Sequence, residues 1–531
     1  IFGATFEPTL SKSQEDQALY TQGADISIIS RIQANRQMEP FLKSLPDEMV
    51  VSLVRRESVR LGGGPAEGNV SVLAVTPHTL GQTTWFRSDF ADKDLPELMS
   101  AIDDPLPPVA GVSIPEGAET LGVWISAEDP RGLRPQSLNI WARVVNSSGI
   151  YHNLGLGELP SRPGWHLMEG SVTGNGEGVQ LVSFFVSGSI LPASSLLNFD
   201  DVTVWGPGLP PDGMIIEGFE EPQPWTPIAT RGQEADLTEQ TGEAAHSGEL
   251  GLRLTFGQLQ RIELRGVFLT SGPYPVPVIG GPGFVTGQQF ALRVNRSTLQ
   301  VEVVDILRYF PTINPGATQF MIINLDHFAH FLSHAAVSQR VPPNEIWIST
   351  DPESDQSQFL ETLADTLPPT LLLKERKEAV DSALRDPLAA GAWEGLTVLG
   401  ITVMVGAILV SLVLLGTTSL RQARLDISVA RALGFSNRQL AGSLVVERVL
   451  MVALAMLAGS LVGWWLRNWI LSYLDITPTG GTIVPPLVLA TDQPLLLLAY
   501  LSLISAALAT IGFTLFLARR LKTAQVLRQT E

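Results

Sequence analysis

The sequence predicts an α/β extracytoplasmic core domain with an inserted β-sandwich, followed by an α-helical membrane domain of three transmembrane helices. Three observations carry this. Long uncharged runs at 396–415, 449–466 and 493–518 are confined to the C-terminal part of the 531 residues. From Ala110 to about Phe256, short apolar segments alternate with Gly, Pro and Asn turns. The formal net charge of −18 is uneven: from Glu394 onward ten Lys and Arg face six Asp and Glu, so that part is +4 and residues 1–393 carry −22.

A chain of 531 residues is too long for one hydrophobic core. It has no cysteine, so an exported region of this size is held by its cores and not by disulfides, which favours a bacterial source. The acidic region argues against nucleic acid as a partner.

Residues 1–105 read as the first half of the core domain. Asp25–Ile29, Val50–Val54 and Val70–Val75 have strand composition, and the polar stretch Ile32–Ser44 is expected to be a helix. Residues 106–264 read as the insertion, with strands expected at Leu121–Ser126, Leu138–Val145, Val179–Val186 and Asp201–Val204. LGVWISAEDP, LNIWARVVNSSG, GWHLMEG and NFDDVTVWG resemble carbohydrate-binding-type jelly rolls, and IEGFEEPQPW (Ile216–Trp225) with AAHSGELGLRL (Ala244–Leu254) resembles the opening strands of such a module. Motifs of opening strands thus follow those of closing strands, which implies one permuted sandwich or two incomplete ones. Trp124, Trp141 and Trp165 are either sugar-stacking rings or, as is commoner in sandwiches, buried ones. Asp200-Asp201 has two readings, a calcium ligand pair and a strand-end turn, of which the turn is preferred.

Residues 265–350 resume the core domain, with Val276–Ile279, Gly287–Phe290 and Leu299–Val304 as strand-like stretches. In DHFAHFLSH, His327, His330 and His334 fall at i, i+3 and i+7 on one helical face and could collect a metal. Without HExxH or a Cys/His cluster nearby, an amphipathic surface helix is preferred and no metal site is assigned. No Walker A sequence and no G-x-S-x-G elbow occurs, so no cofactor or catalytic residue is assigned. The N-x-[ST] triplets at Asn69, Asn146 and Asn295 are treated as chance. Residues 351–394, with helices expected at Phe359–Leu367 and Glu375–Leu384 and a break at Asp386-Pro387, read as a helical stalk or a simple linker.

The 395–531 region opens with twenty uncharged residues, Leu396–Leu415, enough to cross a hydrocarbon core of roughly 30 Å. Then Arg421, Arg424, Ser428 and Arg431 line one helical face and Leu425, Val429, Ala432 and Leu433 the other. Gly434 suits a left-handed helix end, and Ser436 with Gln439 has capping-box spacing for the next helix. The pattern of 421–440 fits a surface helix between spans and a docking helix for a cytoplasmic partner equally well. Arg421–Arg438 and the tail Arg519, Arg520, Lys522 and Arg528 hold most basic residues, whereas Asn468–Asp492 holds none. Both basic stretches are therefore expected in the cytoplasm and residues 1–393 outside. The opening IFGATF is not a signal peptide, so the sequence is expected to begin just after an N-terminal membrane helix. Gly459 and Gly463, four apart in the second apolar run, allow close helix packing, and Trp464, Trp465 and Trp469 suit a membrane boundary. No run carries a central charge, against an ion pathway.

The string DISVARALG (Asp426–Gly434), followed by Phe435-Ser436, Gln439-Leu440 and Glu447, resembles the FtsX/MacB-type ABC transporter permease domain over about 130 residues. VLAVTPHTL with Trp85, and the segments at 276–311, are similar to the two halves of the MacB-type periplasmic core. The resemblance implies a non-enzymatic permease of the bacterial inner membrane, working as a dimer or pseudo-dimer in membrane lipid with a separate cytoplasmic ABC ATPase. It implies ATPase-coupling roles for Arg424, Asp426, Arg431, Gly434, Ser436 and Glu447, and mechanotransmission through the 421–440 helix to export or extract a lipid, lipoprotein or peptide. Asp426 stands where the family usually has Glu. Two other readings stay open: a membrane-anchored envelope glycan-binding protein, and a non-transporting regulator of a cell-wall hydrolase.

Overall fold

The computed structural model describes residues 3–32, 38–43, 49–62, 68–104, 111–128, 138–172, 177–188, 194–228, 236–257, 265–270, 272–294, 297–334, 342–350, 367–384, 436–474 and 483–520, with isolated positions at 45, 360, 363–364, 395, 399–400, 402–403, 406–407, 410–411, 414 and 434. The chain divides into two compact units, 21–376 and 1–20 with 377–531.

Helix α1 (Gly3–Gln22) opens the chain. No expectation covered it, because the buried positions Thr5, Thr9, Ser13 and Asp16 are small or polar and dilute the apolar period. In the first segment of unit 21–376, β1 (Ile26–Ser30), β2 (Val50–Gly62) and β3 (Asn69–Val75) form with the short helices α2 (Met38–Leu42), α3 (Pro77–Thr83) and α4 (Leu95–Ser100). Only 38–42 of the helix expected at 32–44 is described as helical, and 33–37 lie outside the described residues.

Twelve strands follow: β4 (Val112–Ser113), β5 (Thr120–Glu128), β6 (Leu138–Val145), β7 (Tyr151–Leu159), β8 (His166–Ser171), β9 (Gln180–Gly188), β10 (Leu196–Trp205), β11 (Met214–Glu217), β12 (Trp225–Pro227), β13 (Leu237–Thr241), β14 (Gly251–Thr255) and β15 (Arg265–Leu269). They make two antiparallel sheets, β13-β14-β10-β5-β8 with β11 on β10, and β12-β15-β9-β6-β7 with β4 on β9. Leu121, Val123 and Ile125 of the first sheet and Ile140, Ala142, Val144 and Phe184 of the second fill one core between them. The segments at 216–225 and 244–254 contribute strands to these same two sheets, so there is one sandwich and not two incomplete ones.

The chain then returns to the sheet of β1, β2 and β3 through β16 (Val276–Gly280), β17 (Gln289–Val294), β18 (Ser297–Ile306), β19 (Gln319–Asn324), helix α5 (Leu325–His334), β20 (Glu345–Ser349) and β21 (Leu371–Glu375). Its nine strands run β17-β18-β16-β19-β3-β2-β20-β1-β21. At its far end β2 also pairs with β17 through Arg60–Gly62, which closes six strands into a ring. From Val72 to Val75 β3 is a continuous apolar run, because both faces are covered there. Val72 and Ala74 join the cluster that holds α5, while Leu73 and Val75 join the one under α3 and α4.

Two expectations are corrected here. Residues 371–375 are not part of a helical stalk: Leu371–Glu375 pairs antiparallel with β1 as the sheet's edge strand, its Leu run satisfying a strand ladder. Helix α5 is not a surface helix either. One side faces the core sheet through Phe328 and Leu332, and Phe331 meets Phe268 of the sandwich with ring centroids 5.8 Å apart.

In the second unit, α6 (Arg376–Leu384) contributes residues 377–384, and the rest of the expected stalk, 385–394 with its break at Asp386-Pro387, lies outside the described residues. The described positions of the first apolar run are helical. Helices α7 (Asn437–Leu474) and α8 (Gln493–Arg520) follow. Within α7, Val445–Leu466 is the one helix among the described residues long and apolar enough to cross a membrane, at 22 residues and mean hydropathy 2.1. Its length of about 33 Å matches a hydrocarbon core. Leu450, Leu454, Leu457, Leu461 and Trp465 are exposed along it, as a lipid-facing surface requires. The shorter apolar part of α8 is Gln493–Ala509.

Candidate functional site

The start of α7 is built as its residues dictate. Gly434 has φ +92°, a backbone state that costs a side chain but not glycine. Two residues on, the Ser436 amide donates to Gln439 Oε1 at 3.0 Å and the Gln439 amide donates to Ser436 Oγ at 3.3 Å. This reciprocal capping box satisfies two of the amide groups orphaned at a helix start. The chain therefore turns at Gly434 and begins a new helix at once. Glu447 lies one turn pair further along α7, exposed. Arg424, Asp426 and Arg431, and the 421–433 part of the predicted coupling helix, lie outside the described residues.

Along α7, Gly459 faces open space and Gly463 is half-buried. Next to Gly459, Ser460 Oγ and Tyr500 Oη of α8 lie 2.7 Å apart, a polar contact between the two helices. Trp465 and Trp469 stack with centroids 6.0 Å apart. Asp492 caps α8, accepting from the Leu495 amide at 3.0 Å. Just before that cap, Thr9 of α1 donates to the Ala490 carbonyl and accepts from its amide, both at 3.1 Å. The paired bonds hold α1 against the loop leading into α8.

In the sandwich, the register of β10 against β5 shifts between Asp200 and Thr203, and Asp201 has φ +45°. The inward positions change from Leu197 and Phe199 to Val202 and Val204, a bulge that sets two carboxylates side by side. Asp200 Oδ1 accepts from the Asp201 amide at 2.8 Å, and Oδ2 accepts from the His246 and Ser247 amides at 2.6 and 3.0 Å. Asp201 Oδ1 accepts from Ser247 Oγ at 2.9 Å and Oδ2 lies 2.8 Å from His246 Nδ1. Three of the four oxygens tie the turn after Ala244 to β10, and the fourth, Asp200 Oδ1, braces the bulge itself, which favours the strand-end reading of the pair. Burial pushes the Asp200 carboxyl up, against the pull of the three amide donors. The tethered His246 ring stacks on Trp124 at 4.1 Å and meets Trp165 edge-on at 5.4 Å. Trp141 instead lies on the opposite sheet, beside Phe185 at 6.1 Å. Sequence reasoning missed the His246 and Ser247 partners because they lie 45 to 47 residues away; the AHSG turn motif was the available signal.

Helix α5 ends against the sandwich. Arg143 of β6, fully buried, donates through Nε to the Ser333 carbonyl and through Nη1 to Asn153 Oδ1, both at 2.5 Å, and lies over the Tyr151 ring. Ser183 Oγ donates to the His334 carbonyl at 3.1 Å. Two carbonyls orphaned at the helix end thus find donors on the sandwich. The price is a buried guanidinium, whose pKa burial lowers to about 10. His327 sits apart, its Nε2 2.8 Å from the Asp104 carbonyl. Among the described residues, no group of three or more His, Asp or Glu side chains is placed to hold a metal ion.

Residues 398–526 match the family model for the FtsX-like permease C-terminal domain. The chain therefore carries a permease domain of the FtsX/MacB type. This family points to an ABC transporter permease, a membrane transport protein rather than an enzyme, and its members generally partner with a cytoplasmic ATPase. No curated protein matches the chain.

Proposed function

We propose, from the permease-domain match at 398–526, that this chain is the permease subunit of an ABC transporter of the FtsX/MacB/LolC type. A separate cytoplasmic ATPase pair drives the amphipathic segment 421–440. Movement there tilts three spans, at 396–415, 449–466 and 493–518, and reaches the MacB-like, extracytoplasmic unit that bears the jelly-roll-like insertion. The cargo is a lipid, lipoprotein or peptide of the bacterial envelope. Arg424, Asp426 and Arg431 contact the ATPase, Gly434 and Ser436 fix the turn back into the membrane, and Glu447 sits at the base of α7. The open face of Gly459, with Gly463 a turn further, suits a partner helix of a permease dimer or pseudo-dimer.

The observation that carries the reading is the family match over the segment that holds the amphipathic helix, supported by the glycine turn and capping box at 434–439. A rigid turn there passes a push on 421–433 into α7 and does not absorb it in a slack loop.

The test is co-purification of the full-length protein with the ATPase encoded nearest to it, comparing wild type with Arg424→Glu/Arg431→Glu. Loss of the ATPase from the double variant, with membrane insertion unchanged, supports the coupling assignment. A wild-type protein that recruits no ATPase overturns the transporter reading in favour of a membrane-anchored binder.

A further inference from the structure

An imidazole pair, His334 buried and His330 half-buried, lies at the seam between sandwich and core sheet, and neither the fold nor transport explains it. His330 and His334 stand at i, i+4 on α5 with ring centroids 3.7 Å apart. His334 is fully buried. No well-formed hydrogen bond reaches its Nδ1 or Nε2, or Nε2 of His330, among the described residues, although the His330 backbone one turn back bears on the His334 ring as an acceptor. Buried polar atoms without partners cost stability, so such a cluster calls for a reason.

The surroundings give one. From the sandwich, the Arg143 guanidinium lies beside the end of α5, and the Tyr151 ring meets His334 edge-on at 5.4 Å. On α5 itself the other titratable groups are His327 and the exposed Asp326, with Asp103 and Asp104 near His327. From the core sheet the helix meets apolar residues: Val59 and Leu61 of β2, Val72 and Ala74 of β3, Met321 and Ile323 of β19. Nothing facing the pair offers a negative charge, and Arg143 adds a positive one. A proton taken from solvent by either ring creates a buried cation beside a second cation, at the place where Arg143 and Ser183 hold the helix end.

We propose that the His330–His334 pair is an acid-sensitive latch: proton uptake by the pair opens the seam along α5 and frees the sandwich from its fixed seat on the core sheet. Opening exposes the rings to water, where each binds a proton at its ordinary affinity, so acid favours the open form. Burial lowers the pKa of His330 from 6.5 to about 4 and pushes that of His334 well below 6.5, the neighbouring His330 ring adding to the effect and a backbone hydrogen bond at His330 opposing it. For His330 alone, this difference raises the open population about 20-fold between pH 7 and pH 5. The inference goes beyond the transport reading and holds whether or not an ATPase binds.

The experiment is hydrogen–deuterium exchange on the full-length protein in nanodiscs at pH 7 and pH 5, corrected for intrinsic exchange rates. Peptides covering 325–334 and 138–159 are compared with those of β16 and β18. The expected result is a gain of about 20-fold or more in opening, confined to the seam and lost in His330→Gln/His334→Gln. Seam protection that changes by less than about 3-fold overturns the latch, as does a pH response that persists in the double variant. Should that variant not fold, C2-hydrogen exchange of the wild-type imidazoles decides: midpoints well below 6.5 for His330 and His334 support the latch, and ordinary midpoints overturn it.

Discussion

Replacing Asp200 with Ala removes the acceptor of three amide donors, from Asp201, His246 and Ser247, at 2.6 to 3.0 Å. A hydrogen bond to a charged group contributes about 1.5–3 kcal/mol. Three of them set an upper bound that burial of the carboxylate reduces, since burial is the largest influence on the Asp200 pKa and acts against its charge. The His246 and Ser247 amides are only partly buried and partly rehydrate when the carboxylate is lost. The net cost is about 2–3 kcal/mol, and Asp200→Asn, which keeps one carbonyl oxygen, costs about 1 kcal/mol. Because the raised pKa lets the folded state take this proton before the unfolded state does, the contribution of Asp200 declines as pH rises above 3.8, and the Asn variant lacks that decline. The assay is the opening free energy of β10 and of residues 242–255, from exchange on the full-length protein. A change below about 0.5 kcal/mol for the Ala variant refutes the tether, being within the range of an ordinary surface substitution. Because all four oxygens of the pair already accept bonds, EDTA leaves these values unchanged in the wild type.

Other predictions can be checked with the same preparation. Ser436→Ala removes the cap of α7 and lowers protection of its first turn by about 1 kcal/mol, while Ser436→Asp retains most of it. Glu345→Ala leaves Arg56, whose Nε lies 2.7 Å from the carboxylate, and Trp347 Nε1, at 3.1 Å, without that partner; because Arg56 is partly exposed, about 2–3 kcal/mol is lost from the sheet, read as a lower thermal midpoint. Gly23→Ala places a Cβ at φ +79° and 2.8 Å from Thr312 Cγ2, and costs at least about 1 kcal/mol, read as a drop in the same midpoint. Between pH 7 and pH 5 the seam of the wild type loses about 2 kcal/mol through His330, since a lowered folded pKa contributes stability that is lost as pH falls below 6.5.

The legible parts of the sequence were those where one physical signal dominates. Strands at 138–145, 70–75 and 276–279 carried apolar, β-branched runs and appear within a residue or two of expectation. The left-handed glycine at 434 and the Ser436–Gln439 box could be read from residue type and spacing alone, because capping is local. Signals that needed the rest of the chain were not legible. The 371–375 stretch reads as helix or strand until β1 stands beside it. The face of DHFAHFLSH suited a surface helix because histidine reads as polar, and only the sandwich on its outer side buries it. The partners of Asp200 come from a turn about 46 residues downstream, beyond any spacing rule.

The insertion is more than a module on a leash. It leaves the core sheet after α4 and returns before β16, so two chain connections join it to the core. Phe185, Ile228 and Phe268 of the sandwich sit in the same apolar cluster as Val72, Met321 and Phe328 of the core. Two connections and a shared cluster oppose both rotation and separation of the sandwich and the nine-stranded sheet, which belong to the same compact unit. The buried features at the join then divide in function. The apolar cluster supplies adhesion that is insensitive to pH, whereas Arg143 and the His330–His334 pair make the same contact conditional. Replacing the pair with Phe and Leu removes both the unpaired buried nitrogens and the titration, so the join gains at pH 7 and gains more at pH 5, and the difference between the two gains is the proton-linked part of the contact.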